Sequence, residues 1–292
     1  MKKWLSALVL VVLVLALAAC GANDKKEETT KSSGNDNKEE KTEEQTSENT
    51  TLVVGASINP HAVILEQAKP ILEKEGIDLQ IEEYTEYVLA NKDLSNGDLD
   101  ANFYQHIPYF EGQIAENDYD FANAGGVHIE PIGIYSNKYK KLEELPEGAT
   151  ILLSNSVSDH GRMLSLLEAK GLIKLEEGID KTKAEIKDIK ENPKNFTFDD
   201  GTAPEMLVQM YNNDEGDAVL INSNFALDHN INPLEEAIAL EASDESPYVN
   251  IVAVRSEDKD SEAIKKLMEV LTSKEIQDFI IEEWNGSVVP VK

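Results

Sequence analysis

Arg162 is the residue in this sequence best placed to do recognition chemistry. Only two of the 27 basic side chains are arginines, Arg162 and Arg255. The planar guanidinium fork holds a carboxylate through two parallel hydrogen bonds, which an ammonium group cannot do. Arg162 stands at the start of a predicted helix, after the polar loop Ser154-Asn155-Ser156-Val157-Ser158-Asp159-His160-Gly161. A cation there opposes the helix dipole unless an anion joins it, and free N–H groups at a helix start attract anions anyway. Arg162 is therefore a candidate carboxylate clamp, against the plainer reading of an arginine that is solvated or paired with Asp159. Arg255 follows a strand into the charged run Ser256 to Glu262 and reads as a surface residue.

Two further segments could complete a site around such a clamp. The run from Asp100 to Phe110 concentrates aromatics and amides (Asn102, Phe103, Tyr104, Gln105, His106, Tyr109) where a strand should end. Aromatic faces suit an apolar ligand side chain, including sulfur–aromatic contact with a thioether, although a local aromatic core patch would look the same. Asn222-Ser223-Asn224 also follows a predicted strand, and its amide oxygens can accept from an ammonium group. Asparagines in a turn are common, so this segment gains meaning only beside the others.

Enzymatic readings find little support. Ser158, Asp159 and His160 are sequence neighbours and cannot form a triad with one another. No Gly-x-Ser-x-Gly, phosphate loop or dinucleotide fingerprint is present. His128 and Glu130 can face the same way from a strand and, with His106, form a metal set, but five histidines without a His-rich loop argue against it. No metal, cofactor or catalytic residue is expected.

The elements that must position these residues alternate between short apolar strands and amphipathic helices. Leu52–Ala56 reads as a buried strand, and Asn59-Pro60 as the start of a helix carrying Ile64, Ala68, Ile71 and Leu72 on one face. Pro70 predicts a kink in that helix, and Gly76 its end. Leu79–Glu82 alternates as a half-buried strand. Ala149–Leu153 leads into a helix with Met163, Leu166 and Leu167 on one side. Thr202 and Glu205 have capping-box spacing ahead of Leu207, Met210 and Tyr211. Asp217–Ile221 and Asn250–Val254 are further strands, and Ile264 to Ile280 supplies two terminal helices. Such alternation predicts an α/β fold of parallel sheets covered by helices, with ligands bound beyond strand ends or between lobes.

The N-terminus carries a different message. Lys2 and Lys3 precede an apolar run from Trp4 to Ala19, then Leu17-Ala18-Ala19-Cys20. This reads as a secretory signal, residues 1–19. Cys20 is the only cysteine, which excludes an intramolecular disulfide and any paired-cysteine metal site. Residues 21–50 contain one apolar side chain, Ala22, and nine acidic against five basic ones, a composition that cannot bury a core and reads as a tether. The net charge of −29 disfavours nucleic acid as a partner.

Leu-Ala-Ala-Cys20 resembles the bacterial lipobox, and that resemblance implies lipidation of Cys20 and anchoring to the extracytoplasmic face of the cell membrane. The remaining chain resembles the methionine-binding lipoprotein family (MetQ/NlpA), the substrate-binding components of methionine ABC importers. The resemblance rests on ordered segments from Leu52 onward: Val54-Gly55-Ala56 with Pro60-His61; Tyr87 to Asn91; Asp100 to Tyr109; Val127 to Ser136. It continues through Gly161-Arg162, Glu191-Asn192-Pro193, Asn222-Ser223-Asn224, Ser246 to Asn250 and Val288-Val289-Pro290. It implies a two-lobe, periplasmic-binding-protein-like α/β fold with the ligand cleft between lobes, residues 51–130 plus 246–292 forming one lobe and 131–245 the other. It implies hinge closure over L-methionine or a methionine-containing dipeptide, and delivery to an importer permease; a single cleft ligand needs only one chain, so a monomer is expected. On the same basis Arg162 would bind the ligand carboxylate, and Asn222, Asn224 and Asn250 would surround its amino and carboxyl groups. Tyr87, Phe103, His106 and His128 would line the side-chain pocket. The chain departs from the family pattern at Asp159, where asparagine is usual, at Ala90 for proline, and at Ser223 for glycine. A surface lipoprotein with an adhesive or structural role, and an anchored hydrolase, are the alternatives in other functional classes.

Overall fold

In the computed structural model, residues 49–291 are described, Glu245 apart. The expected signal segment, the expected lipidation residue Cys20 and nearly all of the expected tether lie outside the described residues. Thr50, assigned to the tether from sequence, already belongs to the first strand.

The chain passes through two sheets in three runs. The first gives β1 (Thr50–Ser57), α1 (Val63–Lys74), β2 (Ile77–Tyr84), α2 (Tyr87–Asn96), β3 (Ala101–His106), α3 (Ile107–Asn117) and β4 (Phe121–Ile129). The second gives β5 (Gly133–Tyr135), β6 (Thr150–Ser154), α4 (Val157–Ala169), β7 (Lys174–Leu175), β8 (Ile189–Glu191) and β9 (Thr197–Thr202). It ends with α5 (Leu207–Asn212), β10 (Ala218–Ile221), α6 (Ser223–Asp228), α7 (Pro233–Glu236) and β11 (Ala239–Leu240). The third returns with β12 (Val249–Arg255), α8 (Glu262–Leu271), α9 (Lys274–Trp284) and β13 (Val289–Pro290). The first sheet has the order β13-β4-β12-β3-β1-β2 and the second β11-β5-β10-β6-β9, with β7 and β8 paired apart.

The sheets are mixed, which corrects the expectation of parallel ones. β1 pairs in parallel with β2 and β3, and β6 with β9 and β10. β12, however, runs antiparallel to both β3 and β4, and β5 antiparallel to β10 and β11. The reversed strands are those next to the two passages between sheets, Glu130–Ile132 outward and 241–248 on the return. A chain that has just crossed enters the neighbouring sheet head-on instead of through a right-handed helical crossover.

Apolar periodicity explains the layers. Ile64, Leu65, Ala68 and Leu72 of α1 recur at helical spacing and pack with Ile264, Leu267 and Leu271 of α8 and Ile276 and Ile280 of α9 against the first sheet. Each fully buried Leu or Ile contributes about 1.5–3 kcal/mol. Pro70 sits within α1, and the helix continues past it. The α-helix starts at Val63, three residues after the expected first position at Pro60, because a wider helical turn over Ile58–Ala62 precedes it. Met163, Leu164 and Leu167 of α4 face the second sheet from one side, and Leu207, Val208 and Phe225 from the other. The capping-box expectation fails: Thr202 is the last residue of β9, paired with Ser154, so its backbone serves a sheet and not a helix start. Arg255 is also not a free surface residue. Its Nη1 donates to the carbonyls of Leu94 (3.0 Å) and Leu99 (2.5 Å), tying β12 to the end of α2.

Candidate functional site

The strand ends and helix starts named above converge on one narrow cavity between the sheets. It is lined by Tyr87, Tyr104, Gln105, His106, Tyr109, Glu130, Arg162, Asn222, Ser223, Asn224 and Asn250. Tyr87 and Tyr109 are shared with a wider outer groove that also takes in Val88, Pro108, Ser156, Val157 and Pro204. Polar groups converging beside aromatic rings in one cleft are typical of a small-molecule site.

One wall comes from the first sheet. Tyr87, Tyr104 and Tyr109 form a basket, with ring centroids 5.7 Å apart for Tyr87–Tyr104 and Tyr87–Tyr109 and 6.1 Å for Tyr104–Tyr109. A buried amide network sets its shape. Asn91 donates to Gln105 Oε1 (3.1 Å), while Gln105 and Asn102 each donate to Asn91 Oδ1 (2.8 Å). These bonds lock α2 to β3 and so hold Tyr87 over Tyr104. His106 closes β3 and caps α3, its Nδ1 accepting the Tyr109 backbone N–H (3.1 Å).

The opposite wall comes from the second sheet. α4 is pressed against the turn at Lys181–Lys183, and a Cβ on Gly161 would lie 2.4 Å from the Lys181 carbonyl oxygen. Glycine before Arg162 is thus a packing requirement. Arg162 is buried, and its guanidinium already holds a carboxylate. Nε and Nη2 donate to Glu241 Oε2 at 2.9 and 2.6 Å, and Nη2 also donates to the Glu130 carbonyl. Tyr248 lies beneath, with Cζ 4.7 Å from its ring centroid. Burial disfavours the charge, but Glu241 and Asp159 outweigh it and raise the Arg162 pKa. Asn222, which caps α6, and Asn224 in its first turn line the same cavity as Arg162. Tyr87 Oη reaches across the cavity to donate to Asn224 Oδ1 (2.7 Å).

Of the residues expected on the pocket wall, Tyr87, His106, Arg162, Asn222, Asn224 and Asn250 line the cavity. Phe103 and His128 do not. The ladder with β12 is irregular between Phe103 and Gln105, so Tyr104, Gln105 and His106 all reach the cavity while Phe103 enters the core behind it. There it meets His61 and His128 edge-on, at 4.6 and 5.3 Å between ring centroids. His128 is fully buried with Nε2 2.7 Å from Glu130 Oε1, and His61 Nε2 lies 3.3 Å from the same oxygen and 3.1 Å from Asn250 Oδ1. Ser57 Oγ adds a 2.6 Å contact to His61 Nδ1.

His61, His128 and Glu130 place three ligand-type atoms within 4.8 Å of one another. The 2.7 Å His128–Glu130 separation is a hydrogen bond. Ligands around a tetrahedral ion bound at about 2.0–2.2 Å stand about 3.4 Å apart. The trio is therefore a supporting network beneath Asn250. Burial lowers the His61 pKa to about 4 and the His128 pKa to about 3, and it raises that of Glu130 against the opposing pull of His61 and Arg162.

The sequence reading missed Tyr104, Tyr109, Glu130 and Glu241. The two tyrosines stood in the aromatic segment already singled out, and the strand's phase was the missing datum. Glu241 carries no local signal, because it meets Arg162 from 79 residues away.

Residues 52–292 match the NlpA lipoprotein family. The chain belongs to that family. A methionine-binding lipoprotein MetQ of Bacillus subtilis is 44% identical over 292 residues, covering 100% of this chain and 99% of the relative. Among solved structures, a pheromone cOB1 precursor/lipoprotein of Enterococcus faecalis is 55% identical with a TM-score of 0.80, over 83% of this chain and 100% of that one. A nutrient-binding protein from Burkholderia cenocepacia, solved bound to methionine, is 38% identical with a TM-score of 0.78, over 82% of this chain and 100% of that one. The two-lobe α/β architecture is that of these NlpA-family neighbours. Membership places the chain among substrate-binding lipoproteins and not in an enzyme family. Among the described residues no helix is long and apolar enough to cross a membrane.

Proposed function

We propose that this protein is a receptor for methionine, or for a dipeptide containing it, anchored by a lipid on Cys20 at the extracytoplasmic face of the membrane and serving an ABC importer. One observation carries the ligand class. Asn222 Oδ1 and Asn224 Nδ2, an acceptor and a donor, are buried without partners on the wall that also carries Arg162. A buried polar atom left unpaired costs about 1–3 kcal/mol, so such atoms mark where ligand atoms belong.

The set suits a zwitterion. Arg162 and Asn224 Nδ2 offer donors to a carboxylate, and Asn222 Oδ1 accepts from an ammonium group. The tyrosine basket opposite takes an apolar, polarisable side chain. The methionine-bound relative supports the choice of thioether. The passages at Glu130–Ile132 and 241–248 are the only described links between the lobes and the natural hinges, so closure over the ligand would present a changed surface to a permease.

Calorimetry on protein refolded to strip bound ligand tests this reading, with L-methionine, D-methionine, glycyl-methionine and leucine as titrants. We expect one-to-one binding of a methionine compound, at least tenfold tighter than leucine. Folded protein that binds none of them, with no rise in melting temperature, would sink it. That result would favour a surface lipoprotein without a transport ligand.

A further inference from the structure

Asp159 is among the most deeply buried charged residues of the described chain, 1% exposed, yet it is absent from the cavity lining. Its two oxygens serve two cavity residues from opposite lobes. His106 Nε2 lies 2.9 Å from Oδ1, and Asn222 Nδ2 donates to Oδ2 at 3.2 Å. The proton positions follow from the partners. His106 Nδ1 accepts the Tyr109 backbone N–H, so a neutral ring carries its hydrogen on Nε2 and donates it to Asp159. An ionised carboxylate only accepts, so the Asn222 atom facing it must be the amide nitrogen. The amide oxygen of Asn222 is thereby turned away from Asp159, buried and without a partner, in a residue that lines the cavity.

We propose that Asp159 is a specificity-determining positioning residue: by orienting Asn222 it presents the ligand with an acceptor, and it places a negative charge behind that acceptor. This inference rests on the amino-acid reading above and names what selects the amine. A ligand carrying an α-ammonium satisfies the acceptor and the charge. The 2-hydroxy acid of the same shape supplies a weaker donor and no positive charge. The charge is felt at the cavity wall: after burial, Asp159 is the next contributor raising the Tyr87 and Tyr109 phenol pKa values. Burial works against ionising Asp159, but the bonds and charges of His106, Arg162 and Asn222 prevail and hold its carboxyl below the usual value.

Asp159→Asn tests the proposal with nearly unchanged shape. In the variant, the oxygen of residue 159 must still accept from His106, so its nitrogen faces Asn222. Asn222 must then turn its own oxygen toward position 159 and its nitrogen toward the cavity, and the acceptor becomes a donor. The measurement is the ratio of affinities for L-methionine and 2-hydroxy-4-(methylthio)butanoate, on the full chain in detergent. The wild type should prefer methionine by at least about 100-fold, as sites built to bond a group reject analogues lacking it. Asp159→Asn should shrink that ratio at least tenfold. A purely structural role would weaken both ligands equally and leave the ratio unchanged, which would overturn the proposal. The wild-type ratio stands on its own if the variant folds poorly, since a preference below tenfold overturns the proposal without any substitution. Binding of neither ligand by the wild type would overturn the methionine reading and this inference with it.

Discussion

The two walls of the cavity are built from different chemistry. The wall from the first lobe is aromatic: Tyr87, Tyr104 and Tyr109, backed by an amide network of which only Gln105 reaches the cavity lining. The wall from the second lobe is polar and charged: Arg162 held by Glu241, with Asn222 and Asn224 each bonded on one edge and open on the other. The difference lies in where order comes from. Tyrosines are fixed by packing and need only a correct strand phase. A guanidinium and two amides have several equivalent poses, and each needs a dedicated partner, which the chain supplies from Glu241, Tyr87 and Asp159. The division also separates tasks, one wall reading the ligand's side chain and the other its charged end.

The largest effect should come from the charged wall. Arg162→Ala removes one partner of a buried charged pair, a loss of about 2–5 kcal/mol, or about 30-fold to several thousand-fold in affinity. Titration of L-methionine and L-methioninol, which lacks the carboxylate, should show that preference for the acid collapses along with the affinity. Unchanged preference would mean that Glu241, and not a ligand, is the partner Arg162 exists to hold. Tyr104→Ala should act on the other wall and more mildly, by about 10-fold, within the range for losing aromatic contacts. It should reduce the preference for methionine over alanine while leaving the methionine-to-methioninol ratio intact. A change in the second ratio would break the division of labour between walls.

How much of this was legible in the sequence follows the same divide. Arg162 and the Asn222-Ser223-Asn224 turn were found because their residue types are unusual where they stand, at the ends of apolar runs. Strand and helix alternation was plain from periodicity, since a buried face must repeat at 2 or 3.6 residues. Phe103 was preferred to Tyr104 because nothing local tells which face of β3 is the wet one. That phase is set by β12 and β4 arriving beside and beyond it from distant sequence. Glu241 and His61 likewise gain meaning only through contacts 79 and 189 residues away, with Arg162 and Asn250 respectively. The antiparallel strands escaped for a related reason: strand direction depends on where the chain crosses between lobes, and periodicity is blind to it.

The smallest effect concerns the seam where the lobes meet, away from both walls. Asp228 ends α6 of the second lobe close to the Asn59 backbone of the first, and its Oδ1 is buried without a partner. Burial, reinforced by the charges of Glu130 and Glu83, raises its carboxyl from 3.8 to about 6. A carboxyl that holds its proton more tightly folded than unfolded stabilises the native state below pH 3.8, and that contribution is lost as pH rises through about 6. Asp228→Asn keeps the neutral form at every pH. Its melting temperature relative to wild type should therefore climb between about pH 4 and 6 and level off above. The group is partly solvated, so the full Coulombic cost is screened. A rise of about 2–4 °C, equivalent to about 1 kcal/mol for a domain of this length, is expected. The methionine-to-methioninol ratio should stay constant across the same range, because neither wall contains the titrating group. A melting difference that stays flat with pH would show that water reaches Asp228. The seam would then be an open joint, and the two walls would be held together by Tyr87–Asn224 and His106–Asp159.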